Sequence, residues 1–122
     1  MNFSLASLVV DSGDLESESA FWHSLLGGSI TRAETHHFLQ ADGLPVIVVQ
    51  HAPQHVPPQW PDGTPQQIHF DLSTNDVVAA DTRVLDAGGR RLRPTGDPVV
   101  SAQGGSRVYA SPGGHPFCIR AV

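Results

Sequence analysis

The sequence predicts an α+β fold of two βαβββ modules, and three observations carry that prediction. A helical pattern that opens at Asp14 and stops at Gly27-Gly28 recurs at the same spacing, opening at Asn75 and stopping at Gly88-Gly89. Each helix follows a short strand-like apolar segment, Phe3–Val10 in one case and Gln67–Leu72 in the other. A Gly-x-Pro step precedes an apolar run twice, as Gly43-Leu44-Pro45 before Val46 and as Gly114-His115-Pro116 before Phe117. One supersecondary unit written twice is a stronger signal than any single element. Such paired units bury one sheet face under helices and curve the other around a cavity.

Each element follows from its residues. Phe3–Val10 reads as a strand ending at the turn cluster Asp11-Ser12-Gly13. Asp14 offers an N-cap, and Glu16 and Glu18 suit the positive end of a helix. Leu15, Trp22 and Leu26 recur at helical spacing, and Phe21 and Leu25 widen the stripe. Strands are predicted at Ser29–Glu34, His36–Ala41 and Pro45–His51, with Asp42-Gly43 turning between the last two. Five prolines and a glycine between positions 52 and 66 forbid regular structure and mark a linker. Gln67–Leu72 alternates strictly, as a half-buried strand does. Asn75 caps a helix with the stripe Val77, Ala80, Val84 and Leu85. Strands at Arg90–Arg93, Arg107–Ala110 and Pro116–Val122 complete the second unit. The division is therefore a module at 1–51, a linker at 52–66 and a module at 67–122. Gly96 and Gly104-Gly105 make the 94–106 loop either a mobile lid or a plain connector.

Composition narrows the function classes. The 122 residues suit one domain, and no apolar run approaches the ~20 residues of a membrane span. The seven Lys+Arg are all arginine against twelve acids, for a net charge of −5. That balance lacks a nucleic-acid footprint, and the absence of lysine excludes Schiff-base and P-loop lysine chemistry. The N-terminal segment has no basic stretch of the secretory kind. The single cysteine, Cys118, forms no internal disulfide and no multi-thiolate cage. A reducing cytoplasm is the simplest compartment.

Three blocks carry a resemblance. Ala20-Phe21-Trp22-His23-Ser24-Leu25-Leu26-Gly27-Gly28, Trp60-Pro61-Asp62-Gly63 with Gln67-Ile68-His69-Phe70-Asp71-Leu72, and Ser111-Pro112-Gly113-Gly114-His115-Pro116-Phe117-Cys118 lie in order along the chain. Together they resemble glyoxalase-like domains of the vicinal oxygen chelate (glyoxalase/bleomycin resistance/dioxygenase) superfamily. The resemblance implies two βαβββ modules whose strands form an eight-stranded open mixed barrel around a pocket. In metal-using members, His, Gln or Glu side chains from the first, fourth, fifth and eighth strands hold Zn, Ni, Fe or Mn. Members include lyases, isomerases and dioxygenases, and others sequester antibiotics without metal. A homodimer is also implied.

Carried onto this chain, those positions fall at Ser7, at Val48 with Gln50 two residues on, at His69 and at Cys118. A stable zinc site wants three or four good donors. One imidazole and one thiol with Ser7 and Val48 favour a pocket that uses no cofactor. The alternative is an irregular divalent-metal site of His69, Gln50 and Cys118. His36, His37, His51 and His115 widen the histidine inventory, but adjacent strand residues point to opposite faces.

His69 and Asp71 form the sharpest polar pair, since positions two apart on a strand share one face. A carboxylate beside an imidazole equips it as a general acid or base. Trp60 either covers the cavity mouth and stacks on a flat ligand or plugs the core. Cys118 is either a small buried hydrophobe or a thiolate activated by Arg120 or His69. The expected function is binding of a small organic molecule, sequestered or processed by a lyase or isomerase step at His69. Ser7, Val48, Gln50, Trp60 and Cys118 are the expected ligand-lining residues. An interaction module without turnover is the third alternative.

Overall fold

The computed structural model describes residues 1–99 and 105–122. The chain divides into two compact units, 1–55 and 56–122. The proline-rich stretch from Val56 onward belongs to the second unit.

The first unit holds β1 (Ser7–Ser12), α1 (Leu15–Leu26), β2 (Ser29–Arg32), β3 (His36–Gln40) and β4 (Val46–His51). Its sheet has the order β1-β4-β3-β2, with β1 parallel to β4 and the other pairs antiparallel. The residues read as a turn, Asp11 and Ser12, instead extend β1, because they pair with Gln50 and His51 of β4. The Ser12 carbonyl also accepts from the Ala52 amide at 2.8 Å. Asp14 caps α1 as predicted, its side chain accepting from Ser17 N at 3.2 Å. Gly27, at φ 74°, ends the helix in a conformation that suits glycine.

Strand alternation sends Val10, Ile47, Val49, His37 and Leu39 to the face that α1 covers, and all five are buried. Phe21 and Trp22 of α1 meet them, with ring centroids 5.0 Å apart at 83°. Two polar pairs are built into this core. Trp22 Nε1 donates to Glu18 Oε2 at 2.8 Å, and Ser19 Oγ lies 2.8 Å from His37 Nδ1.

The second unit repeats the plan with β5 (Phe70–Thr74), α2 (Val77–Asp86), β6 (Arg90–Arg93), β7 (Ser106–Ala110) and β8 (Pro116–Ala121). Its sheet order is β5-β8-β7-β6, with β5 parallel to β8. The helix cap moves one residue from the expected Asn75 to Asp76, whose carboxylate accepts from Ala79 N at 3.0 Å. A carboxylate at this end also gains from the helix dipole, which a carboxamide does not. The predicted strand at 67–72 starts later, at Phe70. Ile68 is 69% exposed and does not pack under the helix as the alternation suggested. Leu85, placed in the α2 stripe, is 39% exposed, whereas Val84 is fully buried with Tyr109, Phe117 and Ile119.

The architecture is thus α+β, two helices on two four-stranded mixed sheets, and neither sheet closes on itself. The centre of the 94–106 loop, at 100–104, lies outside the described residues. No helix among the described residues is long and apolar enough to cross a membrane.

Candidate functional site

Each sheet has a face turned away from its helix, and alternation assigns the expected site residues to those faces. In the first unit Ser7 pairs with Val46, Val9 with Val48 and Asp11 with Gln50, so Ser7, Val48 and Gln50 share the helix-free face. Val48 is buried there, Ser7 half-buried and Gln50 exposed. None of the three offers a strong donor for a metal.

In the second unit Asp71 pairs with Cys118, which places both on the helix-free face. His69 stands just before β5, with its Nε2 3.2 Å from Asp71 Oδ1. The other carboxylate oxygen of Asp71 lies 3.9 Å from Arg120 Nε. The ligating atoms of His69, Asp71 and Cys118 all fall within 4.8 Å of one another. His69 and Asp71 are exposed and Cys118 is half-buried, so a molecule from solvent can reach the cluster.

The chemistry of the cluster follows from its neighbours. Burial pushes the Cys118 thiol up, and the adjacent Asp71 carboxylate pushes it further, against the smaller opposing pull of Arg120. Arg120 therefore does not make Cys118 the activated nucleophile that its sequence position suggested. A carboxylate within 3.2 Å of the His69 ring is an arrangement suited to moving a proton. Imidazole, carboxylate and thiol also make a mixed N, O and S donor set of the kind zinc and neighbouring divalent ions accept.

The two histidines of β3 go elsewhere. His37 is spent in the core on Ser19, while His36 stacks on Phe38 at 6.1 Å and lies 2.8 Å from Thr35 Oγ1. Trp60 is half-buried in the wall of a groove of about 470 Å³ that Arg90 and Leu92 of β6 also line.

Two features were missed at the level of sequence. Asp81 of α2 is buried and accepts from Arg91 at 3.0 and 2.6 Å and from the Tyr109 hydroxyl at 2.7 Å. The Arg91 hydrogen bonds hold the Asp81 carboxyl below its usual range, and burial, with Asp81 behind it, pushes Tyr109 up to about 12. This network ties α2 to its sheet and is structural. The second feature is Arg90, read only as the first residue of a strand. Alternation was the available signal: Arg91 points to α2, so Arg90 points the other way.

The sequence profile described as "Glyoxalase-like domain" matches residues 7–120. No curated protein matches the sequence. Among solved structures, the chain is similar to a glyoxalase/bleomycin resistance protein/dioxygenase family enzyme from Burkholderia phytofirmans PsJN. The TM-score is 0.69 at 15% identity, covering 98% of this chain and 99% of that one. A mutant of the fosfomycin resistance protein FosX from Listeria monocytogenes, complexed with manganese(II) and dihydroxypropylphosphonic acid, gives 0.65 at 14% identity, covering 98% and 90%. An antibiotic binding protein from a Streptomyces species gives 0.61 at 18% identity, covering 99% and 98%.

Proposed function

Because the chain belongs to the glyoxalase-like domain family, we propose that it binds a small organic molecule on the helix-free face of its second unit. His69 contacts that molecule and Asp71 orients His69. The observation that carries this reading is the 3.2 Å approach of His69 to Asp71 beside Cys118, on a face open to solvent. If the bound molecule is processed, His69 is the group that takes or gives a proton, as a lyase or isomerase step requires. If it is not, the same contacts sequester it. Neighbours of this fold bind a phosphonic acid and an antibiotic, which supports a small-molecule ligand.

A melting-temperature screen against aldehydes, phosphonates and aromatic antibiotics tests the reading. A compound that stabilises the protein should lose that effect in His69→Ala, whose own melting temperature should barely change. Undiminished stabilisation in His69→Ala would remove His69 from the site. Product formation from the same compound separates processing from sequestration.

A second reading, metal dependence, is favoured by the donor distances. Ser7 and Val48 argue against a site built from four strands, but His69, Asp71 and Cys118 bring three donors together within one unit. They leave a fourth position open, and a divalent ion there would supply Lewis-acid chemistry to a ligand's oxygens. Cobalt(II) added to the protein should then give a sulfur-to-metal absorption band that Cys118→Ser abolishes. No band at stoichiometric cobalt leaves the metal-free reading in possession of the site. Each sheet ends in outer strands that can pair with another chain, which supports a homodimer. Light scattering at high concentration decides that point. The lone cysteine suits a reducing cytoplasm.

A further inference from the structure

The groove beside Trp60 carries information about the ligand that the His69 cluster does not. Its volume of about 470 Å³ is in the range of small-molecule sites. One wall is the segment from Val56 to Asp62, with Pro58 and the Trp60 indole supplying flat, stiff apolar surface. Arg90 and Leu92 of β6 complete the lining. The first wall is fixed in place. Gln59 N donates to Thr64 O at 2.8 Å, and Gly114, at φ 86°, lets Pro57 approach so closely that any side chain there would clash.

Arg90 is the charged feature. Arg91 and Arg107 engage Asp81, Arg120 approaches Asp71, and Arg32 pairs with Glu16. Arg90, exposed and lining the groove, has no acid within ion-pairing distance among the described residues. Strand pairing puts it on the same helix-free face as Asp71 and Cys118, at the opposite edge of the sheet. Three strand spacings separate β6 from β5, roughly 14 Å.

We propose that this groove is the recognition end of the ligand site and takes a planar aromatic carboxylate, its ring against Trp60 and its carboxylate on Arg90. A guanidinium presents paired donors that match the two oxygens of a carboxylate. Asp62, in the same lining, opposes a second negative charge and accepts from a ring amino or hydroxyl group. The ligand class is therefore an aromatic monocarboxylate carrying a donor substituent. This deepens the proposed function and rests on its assignment of the helix-free face as the ligand face.

The probes are benzoate, anthranilate and phthalate, read by tryptophan fluorescence and by calorimetry. Trp22 is buried in the first unit and supplies a constant background, so Trp60 carries the response. Anthranilate should bind more tightly than benzoate, and phthalate, a dianion, more weakly. Arg90→Gln should weaken anthranilate by on the order of tenfold, and Trp60→Phe should remove the fluorescence change, both at unchanged melting temperature. Binding of anthranilate should survive in Arg83→Gln, which removes an exposed arginine of α2 that does not line the groove. Undiminished affinity in Arg90→Gln, or tighter binding of phthalate than of benzoate, would overturn the proposal and leave the His69 assignment standing. Loss of screening ligands in His69→Ala without any aromatic carboxylate binding to the intact protein would do the same.

Discussion

Asp71 Oδ1 lies 3.2 Å from His69 Nε2, with the two residues on either side of the point where β5 begins. The contact joins a residue fixed by strand pairing to one in the preceding coil. The carboxylate thus lies beside a ring that stands outside the strand.

Asp71→Asn keeps a hydrogen-bonding side chain at that point but removes the charge. Affinity for a His69-dependent ligand should fall by about two- to fivefold, the worth of one exposed ion pair. The melting temperature should hold, since exposed ion pairs contribute little. Calorimetric titration beside thermal unfolding checks both halves. A large melting loss with intact affinity would make Asp71 a structural residue.

Cys118 should be a slow nucleophile. Burial and the Asp71 charge raise its thiol above the ordinary value of about 8.5, so at pH 8 it holds less thiolate than a free cysteine. Alkylation by iodoacetamide should lag a model thiol at pH 8 and approach it only in more alkaline solution. Asp71→Asn should speed the reaction at pH 8. Fast alkylation of the unaltered protein at neutral pH would show that Arg120 governs the thiol.

Acid stability should depend on Asp81. Its carboxyl sits lower in the folded chain than its ordinary value of about 3.9, so the folded state binds its proton less readily than the unfolded one. The stabilisation is complete above about pH 5 and is lost as pH falls through and below that ordinary value. Asp81→Ala removes the buried carboxylate but leaves Arg91 its bond to Asp97 and Tyr109 its bond from Arg107, and should cost about 2 kcal/mol at pH 7. Denaturant unfolding at pH 7 and pH 3 should show the variant losing less than the unaltered protein on acidification.

Much of the fold was legible because it is written twice. The helix from Leu15 to Leu26, its cap at Asp14 and its stop at Gly27 follow from local residue types. What failed were boundaries that distant pairing decides. Asp11 and Ser12 read as a turn locally and are a strand only because β4 lies alongside. Ile68 alternates correctly but precedes the point where β5 meets β8, so nothing covers it. The site was half legible. His69 and Asp71 share a face by simple alternation, whereas the closeness of Cys118 depends on the β5–β8 register, to which the sequence offers no local clue. The partner of Arg91 is ten residues away on α2, and without it Arg90 cannot be told from its neighbours.

The most direct test of the account is carbon-detected resonance of the seven histidine rings during titration with a screening ligand, with the His69 signal assigned by its absence in His69→Ala. The His69 resonance should move with the binding curve while that of His37, held by Ser19 in the first unit, stays in place. A ligand that saturates the protein and leaves the His69 resonance where it began would contradict the assignment of the site.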